Sequence, residues 1–219
     1  MEMHTYFTLK GCSTLANFLE LPRDLSYLNL TGTTIEVLRS SIELLDGLCN
    51  IKLKNCKRLV SLWMVIWKLK RLQRLDLTGC SEFKNFPEIL EPMEHMGSLS
   101  LKGTTVKELP LSIGNLIGLR ILELSGCENL EYVPSSIYSL NWLECLMFDG
   151  CLKLQKFPPF SGGLLSLKEL SLSYCSILEI PDFLLSLTTL QELDLSGTMI
   201  ESIPIKQSSK LSILNKEMS

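Results

Sequence analysis

Hydrophobic residues recur along the chain in a fixed phrase, in which leucine alternates with polar residues before a turn. In one copy Leu72, Leu75 and Leu77 precede Cys80. The nine copies begin at residues 4, 25, 48, 72, 96, 119, 143, 167 and 190, at intervals of 21 to 24 residues. A period of this length across nearly the whole sequence indicates a repeat protein, in which each copy is one structural unit, or coil.

Each phrase predicts a short β-strand with one buried face. In the fourth coil Leu75 and Leu77 alternate with Arg74, Asp76 and Thr78, and a period of two is that of a strand. We expect the leucines to point inward and the polar residues to point outward. A glycine and a cysteine then supply the turn that ends this strand.

Two further apolar groups follow the strand in each coil. Phe86-Pro87 and Val133-Pro134 belong to a return stretch, where proline favours extended backbone and opposes a long helix. Pairs such as Ile113 and Leu116 predict short 3₁₀ or α turns in an outer layer. Since no coil can bury these faces alone, the pattern predicts a solenoid of stacked coils with one continuous core.

Six of the eight cysteines occupy the same place in the repeat, directly after the strand, and threonine fills it in three other coils. Buried backbone carbonyls at this point need donors, which a thiol or a hydroxyl can provide. Because threonine cannot cross-link, the exchange favours reduced, structural cysteines over disulfides. Cys145 lies outside this place, and we expect it to face solvent and to be the more reactive thiol. The cysteines of the ladder are Cys12, Cys56, Cys80, Cys127, Cys151 and Cys175.

Composition and charge disfavour several classes of partner and of function. With 21 basic and 24 acidic residues the net charge is −3, which disfavours nucleic acid as a partner. We find no apolar run long enough to span a membrane and no secretory signal, so no membrane partner is expected. Two histidines and no C-x-x-C spacing predict no metal site. We also expect no catalytic residues, no cofactor and no small-molecule substrate; Glu192 and Asp194 do not form a catalytic pair, because an open face has no pocket to shift their pKa values.

The outward strand residues form the candidate partner-binding surface, which we call the concave strip. Its charges are segregated along the chain, as a surface that orients a protein partner would be, although outward residues of any sheet are commonly polar. An apolar centre between charged flanks is typical of an interface. The strip holds a basic part with Lys52, Lys54, Arg74, Asp76 and Lys102, an apolar centre with Ile121, Cys145 and Met147, and an acidic part with Glu123, Asp149, Glu169, Glu192 and Asp194.

The motifs resemble one known family. Leu75-Asp76-Leu77-Thr78-Gly79-Cys80-Ser81-Glu82-Phe83 alternates with shorter coils such as Gly103-Thr104-Thr105-Val106. This alternation resembles the leucine-rich-repeat region of plant TIR–NB–LRR disease-resistance proteins. The resemblance implies an α/β repeat fold, a curved horseshoe solenoid with a parallel concave β-sheet and irregular or 3₁₀ convex segments. It implies a leucine-rich-repeat domain of about nine repeats over residues 1–204, and an aborted tenth repeat or tail over residues 205–219.

The same resemblance implies a non-catalytic protein-recognition module of plant intracellular innate immunity. Its partner would be a pathogen effector, or the receptor's own nucleotide-binding domain, which it would hold at rest. The expected location is the cytoplasm, with the nucleus as a further location. The alternatives are a stand-alone or truncated adaptor or decoy, and a substrate-recognition arm of a ubiquitin-ligase assembly. The sequence contains no G-x-x-x-x-G-K-[ST] phosphate-binding loop, so we assign it no nucleotide chemistry.

Overall fold

Ten parallel strands form one sheet in a computed structural model of the chain, which describes residues 5–12, 21–38, 40–200 and 212–214. The strands of this sheet stand in the order in which they occur along the chain, so each coil contributes one strand beside its neighbour's. The main sheet comprises β1 (Thr5–Thr8), β2 (Leu25–Asn29), β4 (Asn50–Lys52), β6 (Arg74–Asp76), β7 (Ser98–Ser100), β8 (Ile121–Glu123), β9 (Cys145–Met147), β10 (Glu169–Ser171), β11 (Glu192–Asp194) and β12 (Ser212–Leu214).

The strands are in register at equivalent positions of the repeat. Leu75 of β6 pairs with Leu99 of β7, which pairs with Leu122 of β8 and so continues to Leu146 and Leu170. All five of these leucines are buried, while the residues on either side of them are exposed or half-buried, except Ser100 and Ser171, which are also buried. The predicted inward and outward assignment is therefore confirmed across the middle of the sheet.

The outer layer contains short 3₁₀ segments, and the described residues include no α-helix. Ile113 and Ile137 lie inside two of these segments and are buried, as the spacing predicts. A second, two-stranded parallel sheet is formed by β3 (Val37–Leu38) and β5 (Ser61–Leu62). The 3₁₀ segments are η1 (Ser40–Leu44), η2 (Met64–Lys68), η3 (Leu111–Asn115), η4 (Ser135–Ser139) and η5 (Asp182–Ser186).

Five of the six ladder cysteines lie inside the core, where their thiols donate hydrogen bonds to backbone carbonyls, while Cys12 is half-buried. The Sγ atoms of Cys56 and Cys80 donate to Leu30 O and Leu53 O, each at 3.0 Å, one coil back along the chain. Cys127, Cys151 and Cys175 repeat this contact at 3.1 to 3.2 Å. The donor role predicted for this place in the repeat is confirmed for these five thiols.

The last strand, β12, pairs with β11, so the sheet continues into the stretch that the sequence assigns to an incomplete tenth repeat. The expected boundary between residues 204 and 205, the remainder of that stretch and residue 4 lie outside the described residues. Hydrogen bonds between main chains do not require a particular side chain, so a strand can form where the leucine pattern weakens.

Candidate functional site

The register of the sheet sets the outward residues of the concave strip in straight rows. Neighbouring residues within a row belong to neighbouring coils, so the order along the chain becomes the order in space. At about 4.8 Å between strands, side chains of adjacent coils are within contact distance. One row reads Tyr6, Tyr27, Asn50, Arg74, Ser98, Ile121, Cys145, Glu169 and Glu192, and the next reads Thr8, Asn29, Lys52, Asp76, Ser100, Glu123, Met147, Ser171 and Asp194.

The basic part of the strip contains one internal ion pair. Lys54 Nζ lies 3.2 Å from Asp76 Oδ2, and Asp76 Oδ1 accepts hydrogen bonds from the backbone N–H and the hydroxyl of Thr78. Lys52 lies over the ring of Tyr27, with Nζ 5.7 Å from its centroid. The negative charge of Asp76 thus neutralises the positive charge of Lys54, and the net positive charge of the basic part comes from Lys52, Arg74 and Lys102.

The acidic part is organised around Asp149. Its carboxylate accepts hydrogen bonds from Ser125 at 2.8 Å, from Ser173 at 2.7 Å and from Ser171. Burial by itself would raise the pKa of Asp149, but these hydroxyl donors outweigh burial and lower it below its ordinary value. Asp149 is therefore a fixed negative charge at neutral pH, held by three side chains from neighbouring coils.

Ile121 and Cys145 are paired neighbours in the apolar centre, and Met147 lies next to Glu123 in the adjacent row. Ile121 is exposed, whereas Cys145 and Met147 are half-buried. Burial raises the pKa of Cys145 to about 12, with further contributions from the charges of Glu169, Glu123 and Asp149. Since the thiolate is the reactive form, this raised pKa argues against the expected reactivity of Cys145, which lies on the outward face but is half-buried there.

Four serines of the strip are not open to solvent, contrary to the expectation that the outward residues face water. Two of them, Ser171 and Ser173, donate hydrogen bonds directly to the carboxylate of Asp149. They act as supports for charged neighbours and offer little contact area to a partner. The buried serines are Ser100, Ser171, Ser173 and Ser196.

The structure brings the other predicted site residues onto one face in the predicted order. Glu169 pairs with Glu192, and Ser171 with Asp194, so three acidic side chains lie together at the end of the strip. Sequence reasoning did not find a second recessed surface, at the sheet edge where the strands begin, which is described below. The feature of the sequence that could have indicated this surface is Trp142, an exposed tryptophan that has no place in the repeated leucine phrase.

Comparisons with known proteins agree with this architecture. A model of the leucine-rich repeats of disease resistance protein RPS4B-like proteins matches residues 68–167, and a general leucine-rich-repeat model matches residues 166–187. The chain belongs to the leucine-rich repeats of the disease-resistance-protein family. The resemblance stated from the motifs is thereby confirmed, as is the predicted fold class.

Several curated plant relatives match most of the chain. The present chain is 35% identical to the disease resistance-like protein DSC1 of Arabidopsis thaliana, in a match that covers 84% of this chain. It is also 35% identical to RPS4B of the same plant, in a match that covers 69% of this chain. It is 32% identical to the TMV resistance protein N of Nicotiana glutinosa over 93% of its length. The chain spans only 13%, 12% and 16% of these three relatives, so it corresponds to a small part of each.

Solved structures show the same fold. The leucine-rich repeat domain of the type III effector XopL superposes with a TM-score of 0.84 at 28% identity, covering 96% of this chain and 75% of that one. The Leptospira interrogans leucine-rich-repeat protein LIC12759 superposes with a TM-score of 0.61 at 26% identity, covering 90% and 57%. Leucine-rich-repeat domains generally bind proteins, which agrees with the partner class expected here.

Two absences hold for the described residues. No group of three or more histidine, cysteine or acidic side chains among residues 5–12, 21–38, 40–200 and 212–214 could hold a metal ion. Nor does this part of the chain contain a helix with the length and apolar character needed to cross a membrane.

Proposed function

We propose that this chain is a protein-recognition surface of a plant intracellular immune receptor. It would sense a pathogen effector in the cytoplasm or nucleus and, before that, restrain the receptor's own nucleotide-binding domain. The support comes from the plant disease-resistance relatives and from one structural observation, the ordered segregation of charge along the concave strip. Catalysis is not part of the proposal, which concerns binding of a protein on an open face of the sheet.

Segregated charge is suited to orienting a partner. Lys52 and Lys102 are exposed and belong to the basic part, while Glu169 and Glu192 are exposed in the acidic part. A partner with the opposite gradient would dock in one direction, since the reversed orientation would bring like charges together at both ends. Such a surface can distinguish partners by register and can change between receptors without altering the core.

The test uses the purified chain and the nucleotide-binding domain of a plant disease-resistance protein as the probe. In the double variant Lys52→Glu with Lys102→Glu, affinity should fall by at least about tenfold, because two favourable contacts become repulsive. Binding of the unaltered chain should also weaken with salt.

The matched control is the double variant Lys107→Glu with Lys156→Glu. It changes the net charge by the same amount, but both lysines are exposed away from the concave strip. The control should bind as the unaltered chain does. Absence of binding to the probe, or equal loss in both double variants, would refute restraint through the strip.

A further inference from the structure

Two recesses lie side by side at the edge of the main sheet where the strands begin. Their volumes are about 560 Å³ and 510 Å³, and both are lined by Arg120 and Trp142. The first extends back to the fourth coil and the second forward to the ninth, so together they form one shallow trough, the edge groove. Its walls include Arg74, His95, Arg120, Trp142, Leu165 and Lys168.

Two glycines, Gly97 and Gly118, line the first recess. A Cβ atom on Gly118 would lie 1.9 Å from the carbonyl oxygen of Glu94, a distance at which atoms cannot coexist. The absence of a side chain at Gly118 therefore allows its backbone to approach that of Glu94 closely at this recess.

Apolar side chains stand exposed along this groove. Trp142 is 63% exposed and Leu165 is 67% exposed, although both follow the buried leucines of their coils closely. Ile121 is 40% exposed and connects the groove to the apolar centre of the concave strip. Tryptophan combines a large apolar area with low conformational entropy, and it is enriched among residues that dominate binding energy.

The charged residues of the groove are mainly basic. Glu144 accepts hydrogen bonds from Arg120 at 3.1 Å and from Lys168 at 2.6 Å, so this trio keeps one positive charge. Arg74 is exposed and has no ion pair within the described residues. Glu94 is the opposing acid, which leaves an excess of positive charge in a chain whose net charge is −3.

From these features we infer that the edge groove binds an extended protein segment carrying an aromatic or aliphatic side chain flanked by carboxylates. The apolar side chain would pack against Trp142, and the carboxylates would lie against Arg74, Arg120 and Lys168. From the fourth to the ninth coil the groove runs about 25 Å, which about eight extended residues span. A shallow trough of this length is suited to a peptide strand, whereas small ligands are bound in enclosed sites.

The probe for this inference is a library of random peptides displayed on phage, selected against the immobilised full chain. We expect the selected peptides to be enriched in Asp, Glu and aromatic residues. Their affinity should fall by about tenfold or more in Trp142→Ala, and it should also fall in Lys168→Glu. Trp63→Ala is the matched control, because Trp63 is 53% exposed but lies outside the groove, next to η2; it should leave affinity unchanged.

Three results would overturn the inference: recovery of basic peptides, recovery of none, or peptides that bind Trp142→Ala as well as the unaltered chain. The inference does not depend on the function proposed for the concave strip. The double variant Lys52→Glu with Lys102→Glu separates the two, since neither lysine lines the groove. That variant should keep full affinity for the selected peptides even if it loses the nucleotide-binding domain.

Discussion

The thiol of Cys127 donates a hydrogen bond to the carbonyl oxygen of Leu101 in the preceding coil, at 3.1 Å. That oxygen also accepts the backbone N–H of Thr104 at 3.0 Å, within the turn that ends its own strand. One buried carbonyl thus joins the turn of one coil to the side chain of the next. Five core cysteines make this contact, whereas the hydroxyls of Thr33 and Thr104 lie against the thiols of Cys56 and Cys127 in the following coil.

We predict that Cys127→Thr is better tolerated than Cys127→Ala. Alanine removes the donor and leaves a small void, at a cost of about 1–2 kcal/mol in unfolding free energy. Threonine keeps a donor and already occupies the equivalent buried places at Thr33 and Thr104. Urea unfolding of both variants measures the difference, and a threonine variant that loses as much stability as the alanine variant would refute the donor role.

Truncation to alanine should strongly destabilise the protein at Leu122 and leave its stability nearly unchanged at the adjacent Glu123. Leu122 is completely buried between Leu99 and Leu146, so Leu122→Ala should cost about 2–5 kcal/mol. Glu123 projects from the other face and forms no ion pair within the described residues, so Glu123→Ala should change stability by less than about 0.5 kcal/mol. Equilibrium unfolding of the two variants tests the inward and outward assignment. Equal losses of unfolding free energy in both variants would exclude it.

The fold could be predicted from the sequence because one backbone rule governs every coil. Leu75 and Leu77 alternate with polar residues and are buried. In a strand with one buried face, this alternation places both leucines on the buried face. The donor role of the cysteines after the strand could be predicted for a related reason. A buried carbonyl needs a donor whichever residue supplies it.

The details of the site depend on contacts between coils, which the order of residues within one coil does not reveal. Ser171 is buried because the carboxylate of Asp149 comes from the neighbouring coil to accept its hydroxyl. The high pKa of Cys145 has the same origin, since its acidic neighbours are adjacent only after stacking. The edge groove likewise depends on the close approach of Gly118 to the backbone of Glu94, which only the stacked chain shows.

Asp149 should make the stability of the protein depend on pH. Its pKa is lowered in the folded state, so its stabilising effect is complete above the unfolded value of about 3.9 and is lost as pH falls through the folded value. At pH 7 the variant Asp149→Asn should therefore be less stable than the unaltered chain. The difference should shrink in urea unfolding at about pH 3; a difference that stays constant with pH would show that the carboxylate charge has no part in it.

Cys145 should react slowly with iodoacetamide in the folded protein. Its pKa of about 12 leaves little thiolate at neutral pH, and Glu169 is the largest of the acidic contributions. The variant Glu169→Gln should lower that pKa and so increase the alkylation rate, which mass spectrometry of the modified peptide can follow. Glu192→Gln is the control, because Glu192 is one strand further away in the same row and should leave the rate unchanged.

The neighbouring glycines Gly162 and Gly163 should differ sharply in their tolerance of a side chain. Both have positive φ angles, +103° and +121°, which strain an alanine by about 1–3 kcal/mol. A Cβ on Gly162 would meet no atom within 4 Å, whereas a Cβ on Gly163 would lie 1.8 Å from the carbonyl oxygen of Tyr138. That oxygen accepts the backbone N–H of Leu164 at 3.0 Å, so the segment cannot move away without losing this contact.

Gly163→Ala should therefore cost clearly more than Gly162→Ala in thermal or urea unfolding, because it adds a backbone clash to the same conformational strain. The pair is internally controlled, since both variants introduce one methyl group into the same loop at positive φ. Equal destabilisation would mean that φ strain alone sets the cost and that the coil around Tyr138 shifts to admit the methyl group. A larger loss at Gly163 would identify its close approach to the Tyr138 carbonyl as the contact that fixes this loop against the preceding coil.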